Sequence, residues 1–258
     1  MKALLHTDSW SARLLQRLLL LGLALLAWAY AARGMPAFVL PGPMRVVAAL
    51  HALLRGETFL QDLGITLYRV LLGFAIAAVL AAPLGVLLGA RQALGHFVEP
   101  VLSVLNTVSS AIWAVFAIIW FGISDATTVF VVFMTAMPLI LTNVWQGAQS
   151  VDANFVELAR SVRLSSIQVL TKIYVPSILP HFFAGARLAF GFGWRVSLVA
   201  ETIGASNGIG YRLRQAADLV QTDQVFAWTL VLVVLMLALE GGVLKPLERR
   251  LFRWKKSL

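Results

Sequence analysis

The stretch VDANFVELARSVRLSSIQVLTKIYVPSILP, from Val151 to Pro180, is polar and helix-forming, yet it lies between long apolar stretches of the chain. Polar groups and charges without partners cost several kcal/mol each in hydrocarbon, so this polar segment must lie outside a bilayer core. We therefore predict that Val151–Pro180, called the polar segment below, is a docking element on one side of a membrane.

The rest of the chain has the composition of an integral membrane protein. Of its 258 residues, 60% are hydrophobic and 13% are charged, whereas a soluble domain carries about 25% charged residues. Cysteine is absent from the sequence, which excludes disulfides and thiolate metal sites. The formal charge of +9 is typical of basic cytoplasmic loops in a membrane protein, so it does not require a nucleic-acid partner.

Apolar stretches along the chain predict an all-α membrane protein with six transmembrane helices. The first stretch has the basic start, short apolar core and small-residue end that also fit a signal peptide. We expect it to remain as a span, because the rest of the chain needs no secretory leader to explain it. The predicted spans are residues 18–32, 70–90, 101–121, 126–144, 178–200 and 225–239.

The basic residues predict which side of the membrane each loop occupies. Six spans place both termini on one side, together with the polar segment. Thirteen lysines and arginines fall on that side, and five fall in the opposite loops. Since basic residues favour the cytoplasm, we expect both termini and the polar segment to be cytoplasmic.

No catalytic or metal-binding pattern is present in the sequence. The four histidines are scattered over different loops, and no two of them have the spacing of metal ligands. The sequence also lacks a phosphate-binding loop and a nucleophile-elbow motif. We therefore expect a non-catalytic chain, whose transport work would draw its energy from an ion gradient or from a partner.

Helical periodicity divides the polar segment into two short amphipathic helices. One face of the first helix carries Phe155, Leu158, Ala159 and Val162. The second helix repeats the pattern with Ile167, Leu170 and Ile173. Such faces fit insertion into the groove of a partner protein, and they fit an interfacial helix lying on lipid equally well.

The spacing of this segment resembles the cytoplasmic loop motif of ABC-importer permeases, which reads Glu-Ala-Ala, three residues, Gly, nine residues, then Ile-x-Leu-Pro. Glu157, Leu158 and Ala159 stand for the first triplet, with leucine in place of one alanine, and Arg163 stands where the family has glycine. Ile173 and Pro176 close the motif. Further resemblance to the nitrate, sulfonate and taurine branch of these importers is carried by LPGP (40–43), AIIWFGIS (117–124), SVDANFVELARS (150–161), GARLAFGFGW (185–194) and VAETIGASNGIGY (199–211).

This resemblance implies the type I ABC-importer (MetI-like) permease fold, with residues 44–244 as the permease core and coupling helices at about 153–173. Residues 1–43 would form an N-terminal cytoplasmic segment, the first span and a linker, and residues 245–258 a basic cytoplasmic tail. The resemblance implies that the protein lies in a bacterial inner membrane, with both termini in the cytoplasm. The implied partners are a second permease subunit in a homodimer, two ABC ATPase subunits that bind ATP and Mg, and an extracytoplasmic substrate-binding protein.

The resemblance also implies which residues couple to the ATPase. Glycine tolerates φ > 0 at a sharp turn and arginine resists it, so we expect Arg163 to keep the turn right-handed or to change the bend. The implied coupling residues are Glu157, Leu158, Ala159, Arg163, Ile173 and Pro176.

Polar residues inside the predicted spans are candidates for a substrate path. A cation within the membrane is costly and normally faces protein or water, so we predict that Arg195 binds an anion or gates the path. A structural role, in which Arg195 pairs with Glu201 or with a backbone carbonyl, explains a cation at this position nearly as well. The other candidates, for which hydrogen bonds between helices or plain packing are the commoner roles, are Asn106, Ser110, Trp113, Asn143, Trp194 and Glu201.

A gradient-driven secondary carrier or channel is the alternative, with Arg187 and Arg195 as ion-coupling or selectivity residues. Carriers typically show repeated halves and broken spans, and no internal repeat is visible in the sequence. A membrane-embedded enzyme would need a cluster of His, Asp or Glu at the bilayer face, which the sequence lacks. The expectation is therefore an ABC permease for a small, anionic solute such as a sulfonate, taurine or nitrate.

Overall fold

The computed structural model describes residues 10–246, so most of the predicted basic tail and the first residues of the N-terminal segment lie outside it. Every regular element in residues 10–246 is helical, as predicted. The α-helices are α1 (Trp10–Arg33), α2 (Pro43–Leu54), α3 (Phe59–Ala90), α4 (Gln92–Thr107), α5 (Ser110–Phe121), α6 (Asp125–Gln149), α7 (Ala153–Ser161), α8 (Ser166–Val169), α9 (Val175–Gly204), α10 (Ile209–Asp218) and α11 (Thr222–Leu239).

The predicted count of six spans is not reproduced in the described residues. Four stretches are long and apolar enough to cross a membrane, or five if α4 and α5 together form one span. The predicted fifth span lies within α9, a 30-residue helix whose length is sufficient but whose sequence includes Arg187, Arg195 and Glu201. The four stretches are Leu14–Arg33, Phe59–Ala90, Asp125–Gln149 and Thr222–Gly242.

The predicted continuous span over residues 101–121 is wrong, because the chain bends there by 93°. Val108 and Ser109 both have extended backbone conformations and separate α4 from α5. The Ser109 side chain accepts a hydrogen bond from the Ala111 N–H at 3.4 Å, as an N-cap does. A serine that caps a new helix therefore breaks a stretch whose apolar composition predicts a single span.

Within residues 10–246 the chain forms two compact units, one of residues 10–59 with 213–231 and the other of residues 60–212 with 232–246. Aromatic contacts hold the described part of the first unit together. The Trp28 indole N–H donates to the Pro41 carbonyl at 3.1 Å, and its ring stacks on Phe226 with centroids 5.7 Å apart.

The core of the second unit is built from α3, α6 and α9, which approach closely at glycines. A Cβ on Gly85 of α3 would lie 2.7 Å from Val144 of α6. A Cβ on Gly185 of α9 would lie 2.7 Å from Asn143 of α6. Glycine at these positions therefore lets α3 and α9 approach α6 closely within the chain.

Candidate functional site

The polar segment folds as two short helices joined to α9. Asp152 begins α7 by accepting a hydrogen bond from the Asn154 N–H at 2.9 Å. Ser165 and Gln168 form a reciprocal capping box at the start of α8, with hydrogen bonds of 3.3 and 2.9 Å. A π-helical turn, Leu170–Tyr174, then leads directly into α9. The first predicted short helix is confirmed as α7. Of the second, only Ile167 lies in α8, whereas Leu170 and Ile173 lie in the π-helical turn that continues into α9.

Arg163 adopts the left-handed conformation that the family glycine would supply. Its φ is +58°, and the N–H of Leu164 donates to the carbonyl of Ala159 at 2.9 Å. This hydrogen bond across five residues is the signature of a Schellman turn, which ends a helix with a left-handed residue. The expectation that Arg163 keeps the turn right-handed is wrong, because hydrogen bonding at the end of α7 imposes the left-handed conformation. The alternative, a changed bend, stays a prediction.

The outer face of α7 is an apolar stripe on an otherwise polar helix. Phe155, Leu158 and Val162 fall at helical spacing, and each side chain is more than 60% exposed. Ala159, which the periodicity placed on the same face, is 4% exposed and faces inward. The stripe, defined as Phe155, Leu158 and Val162, is therefore displayed to solvent instead of being packed on the chain.

An apolar cavity of about 800 Å³ lies beneath the polar segment. Its lining includes Val156 of α7, Leu164 of the turn and Leu170 of the π-helical turn on one side. Residues of α3 and α9, among them Val86 and Ile178, line the other side. The cavity is open to its surroundings, so the polar segment is not tightly packed against α3 and α9.

The motif's closing residues connect the segment to α9. Ile173 is half-buried within the π-helical turn, and Pro176 is in the first turn of α9. Because the π-helical turn continues straight into α9, Pro176 removes one N–H donor from a continuous helical path. Single π-helical turns occur often at functional sites, and this one lies where the polar segment meets α9.

Three candidate path residues lie beside the break between α4 and α5. The Asn106 amide donates to the Leu102 carbonyl of its own helix at 3.0 Å. Ser110 is the first residue of α5. Trp113, one turn further, is half-buried, and its indole nitrogen is buried without a hydrogen-bond partner among the residues that the structure describes.

The candidates on α6 and α9 have different environments. The Asn143 amide donates to the Leu139 carbonyl of its own helix at 2.8 Å, and Trp194 is fully buried. Arg195 is exposed, and its guanidinium lies 5.8 Å from the centre of the Phe192 ring, within cation–π range. The structure does not pair Arg195 with Glu201.

Glu201 instead belongs to a buried ionic network at the end of α9 remote from the polar segment. Its carboxylate accepts a hydrogen bond from Arg69 of α3 at 2.9 Å, and both residues are almost completely buried. Arg69 also donates to Asp125 at the start of α6 and to the side chain and carbonyl of Asn207. One arginine therefore joins α3, α6, α9 and the loop after α9.

Sequence reasoning missed Arg69, because it lies at the edge of an apolar stretch and its partners are 56 to 138 residues away in the chain. A local signal does exist. Asp62, Thr66 and Arg69 follow one another at helical spacing, so they form a polar face at the start of α3. Such a face in an apolar helix predicts buried polar partners.

Comparison with known proteins fits the motif and the fold. The family model for the binding-protein-dependent transport system inner membrane component matches residues 81–250. The chain belongs to this family. It is therefore an ABC-importer permease subunit, a multi-pass membrane protein without a catalytic role of its own, as the resemblance implied.

Individual relatives of this permease agree with the expected branch. It is 31% identical over 221 residues to the putative aliphatic sulfonates transport permease protein SsuC of Bacillus subtilis, covering 86% of this chain and 80% of that protein. It is 27% identical over 220 residues to the taurine transport system permease protein TauC of Escherichia coli, covering 83% and 80%.

A solved structure of the MetNI methionine ABC transporter, in an inward-facing conformation, resembles the permease with a TM-score of 0.59 at 18% identity. The match covers 74% of this chain and 98% of that one. The predicted importer permease fold is thus confirmed, with a span count that differs from six.

Proposed function

We propose that this permease forms the path for a small anionic solute, such as a sulfonate, taurine or nitrate, and that partner ATPases drive it. The solute class is supported by the names of the similar permeases. A second copy would complete the path, ATP and Mg would bind to the two ATPase subunits, and an extracytoplasmic binding protein would deliver the solute. The excess of basic residues beside the polar segment supports a bacterial inner membrane topology with cytoplasmic termini.

The observation that carries the proposal is the exposed stripe on α7. Apolar side chains at i, i+3 and i+7 are the anchors with which an amphipathic helix enters a groove on a partner. Phe155, Leu158 and Val162 have this spacing on a segment that is too polar to enter the bilayer core. The capping box and the Schellman turn hold the stripe in shape before any partner binds, which lowers the entropic cost of docking.

The polar segment is continuous with α9, so a movement of the segment would be transmitted to that helix. The π-helical turn joins it without a loop to α9, whose 30 residues span about 45 Å. We propose that closure of the ATPase dimer pulls on residues 153–172 and tilts α9. The cavity beneath the segment supports this proposal, because it leaves space for rocking between inward-facing and outward-facing states.

We propose that the solute passes beside the break between α4 and α5. Broken helices commonly contribute to binding sites in transporters, and Asn106, Ser110 and Trp113 all lie near this break. Arg195 remains our candidate for the anion contact, since an exposed cation on α9 is available to a path shared with a second copy. A path role for the other candidates stays a prediction that the structure does not support, because their side chains are packed or hydrogen-bonded within one chain. These candidates are Asn143, Trp194 and Glu201.

The test is transport in proteoliposomes that contain the permease, its ATPase and its binding protein. Taurine, an alkanesulfonate and nitrate serve as probe solutes. We expect uptake of at least one probe to require ATP and to survive a protonophore. Uptake that persists without ATP and collapses with the proton gradient would instead show a secondary carrier.

A further inference from the structure

The apolar cavity beneath the polar segment has the size and lining of a ligand pocket. Its volume of about 800 Å³ falls within the range of about 300–1,000 Å³ that is typical of ligand sites, which are mostly apolar with a few polar groups. Among the described residues that line it, Ser166 and Tyr174 have polar side chains and the rest are apolar. A cavity with so few polar partners is a poor site for water, so its occupant is largely hydrocarbon.

The cavity lies at the depth of one leaflet of the bilayer. The uncharged run of α3 from Val70 to Ala90 rises by about 30 Å, which equals the thickness of the hydrocarbon core. Lining residues between positions 82 and 90 belong to the last turns of this run, and those between 175 and 182 belong to the first turns of α9. The hydrocarbon available at this depth is the acyl chain of a lipid.

Basic residues adjoin the cavity where α3 leaves the membrane. Arg91, Arg163 and Lys172 each lie within two positions of a lining residue, and all three are exposed. Glu157 is the single acidic residue of the sequence within the same distance of the lining. A surplus of positive charge at the level of the headgroups attracts anionic lipid, so the charge beside the cavity complements a phosphate.

We propose that the cavity binds an anionic phospholipid, with one acyl chain between α3, α9 and the polar segment and with the phosphate beside Arg91, Arg163 and Lys172. The site requires a bilayer, but it requires neither the proposed solute nor the ATPase. Because an acyl chain is flexible, it fills the space without fixing the polar segment, which keeps its freedom to move. The bound lipid links the position of the polar segment to the lipid composition of the membrane.

The test is native mass spectrometry of the full-length permease, purified in detergent and titrated with phosphatidylglycerol or with phosphatidylcholine of identical chains. The two lipids differ in net charge, so they separate the contribution of the cavity from that of the basic residues. The parent should bind its first phosphatidylglycerol at least about tenfold more tightly than its first phosphatidylcholine. Equal affinity for the two lipids would overturn the proposal of an anionic ligand.

Blocking the cavity should weaken the binding of both lipids. Val86→Phe fills the space from α3, and excluding two methylenes of the chain should lower the first affinity by about tenfold. Ala90→Phe blocks the cavity from the exposed end of α3 and gives the same test if Val86→Phe fails to fold. Leu84→Phe is the matched control, because Leu84 is exposed on the same helix and does not line the cavity, so both affinities should stay as in the parent.

Removing a basic side chain should weaken the binding of phosphatidylglycerol alone. Lys172→Gln and Arg91→Gln should each lower its first affinity by about fivefold and leave that of phosphatidylcholine unchanged. Lys172→Arg keeps the charge and should keep the parental affinity. Unchanged binding of both lipids in Val86→Phe and Ala90→Phe would show that lipid binds only to the outer surface, which would overturn the proposal. Dissociation of a permease dimer by these two variants, with lipid binding unchanged, would assign the cavity to a second copy and would equally overturn it.

Discussion

Replacing Arg163 by glycine should stabilise the turn between α7 and α8. A left-handed conformation costs a non-glycine residue about 1–2 kcal/mol, and Arg163 has φ of +58°. Glycine removes that strain but adds about 0.5–1 kcal/mol of backbone entropy in the unfolded chain. The net gain is about 0.5–1 kcal/mol, which corresponds to a roughly two- to fivefold change in the local opening equilibrium.

Hydrogen exchange of the polar segment measures this opening directly. The amide of Leu164, bonded to the Ala159 carbonyl, should exchange about two- to fivefold more slowly in Arg163→Gly. It should exchange faster in Arg163→Val, because a β-branched residue is the least suited to this conformation. Ser161→Gly is the control of opposite sign, since Ser161 is the helical end of α7. Unchanged or faster exchange in Arg163→Gly would refute the strain argument.

Four further substitutions test the packing, a second turn and the path. Gly85→Ala should destabilise by about 1–3 kcal/mol by overpacking α3 against α6, whereas Gly64→Ala, with nothing within 4 Å, should stabilise by about 0.5–1 kcal/mol; thermal unfolding that ranks them otherwise contradicts the packing. Val220→Gly should raise the melting temperature, because Val220 closes α10 with φ of +56°; a lower value would show that its side chain contributes more than the strain costs. Arg195→Ala should abolish solute-dependent uptake while the ATPase still co-purifies, and normal uptake would remove Arg195 from the path.

Local sequence pattern predicts the helices but not every interruption. Apolar composition and periodicity are sufficient for the helical class and for α7, but they do not show that the second short helix continues through a π-helical turn into α9. Apolar composition does not predict the break at Val108 and Ser109. A capping serine separates two apolar helices only where the folded chain accommodates the bend between them. The adjacent Ser109 and Ser110 were the available signal.

The candidate site is also only partly predictable, because local pattern gives the spacing of residues but not their surroundings in the folded chain. The motif spacing predicts a set of coupling residues, but it does not show that Ala159 faces inward while Leu158 is exposed. The sequence-based prediction for Arg163 is wrong about its handedness, because it rests on the reluctance of arginine to adopt φ > 0 and omits the hydrogen bonds that end α7. The sequence does not predict the partner of Glu201 either, because Arg69 is 132 residues earlier in the chain.

The measurement that tests the central claim most directly is co-purification of the ATPase with Leu158→Asp. Leu158 is 62% exposed, so the charge should not disturb the permease fold, whereas a change at buried Ala159 would. Asn154→Asp adds the same charge to α7 outside the stripe and serves as the control. We predict that Leu158→Asp loses the ATPase at normal permease yield while Asn154→Asp retains it. Full retention of the ATPase by Leu158→Asp would contradict docking through the stripe.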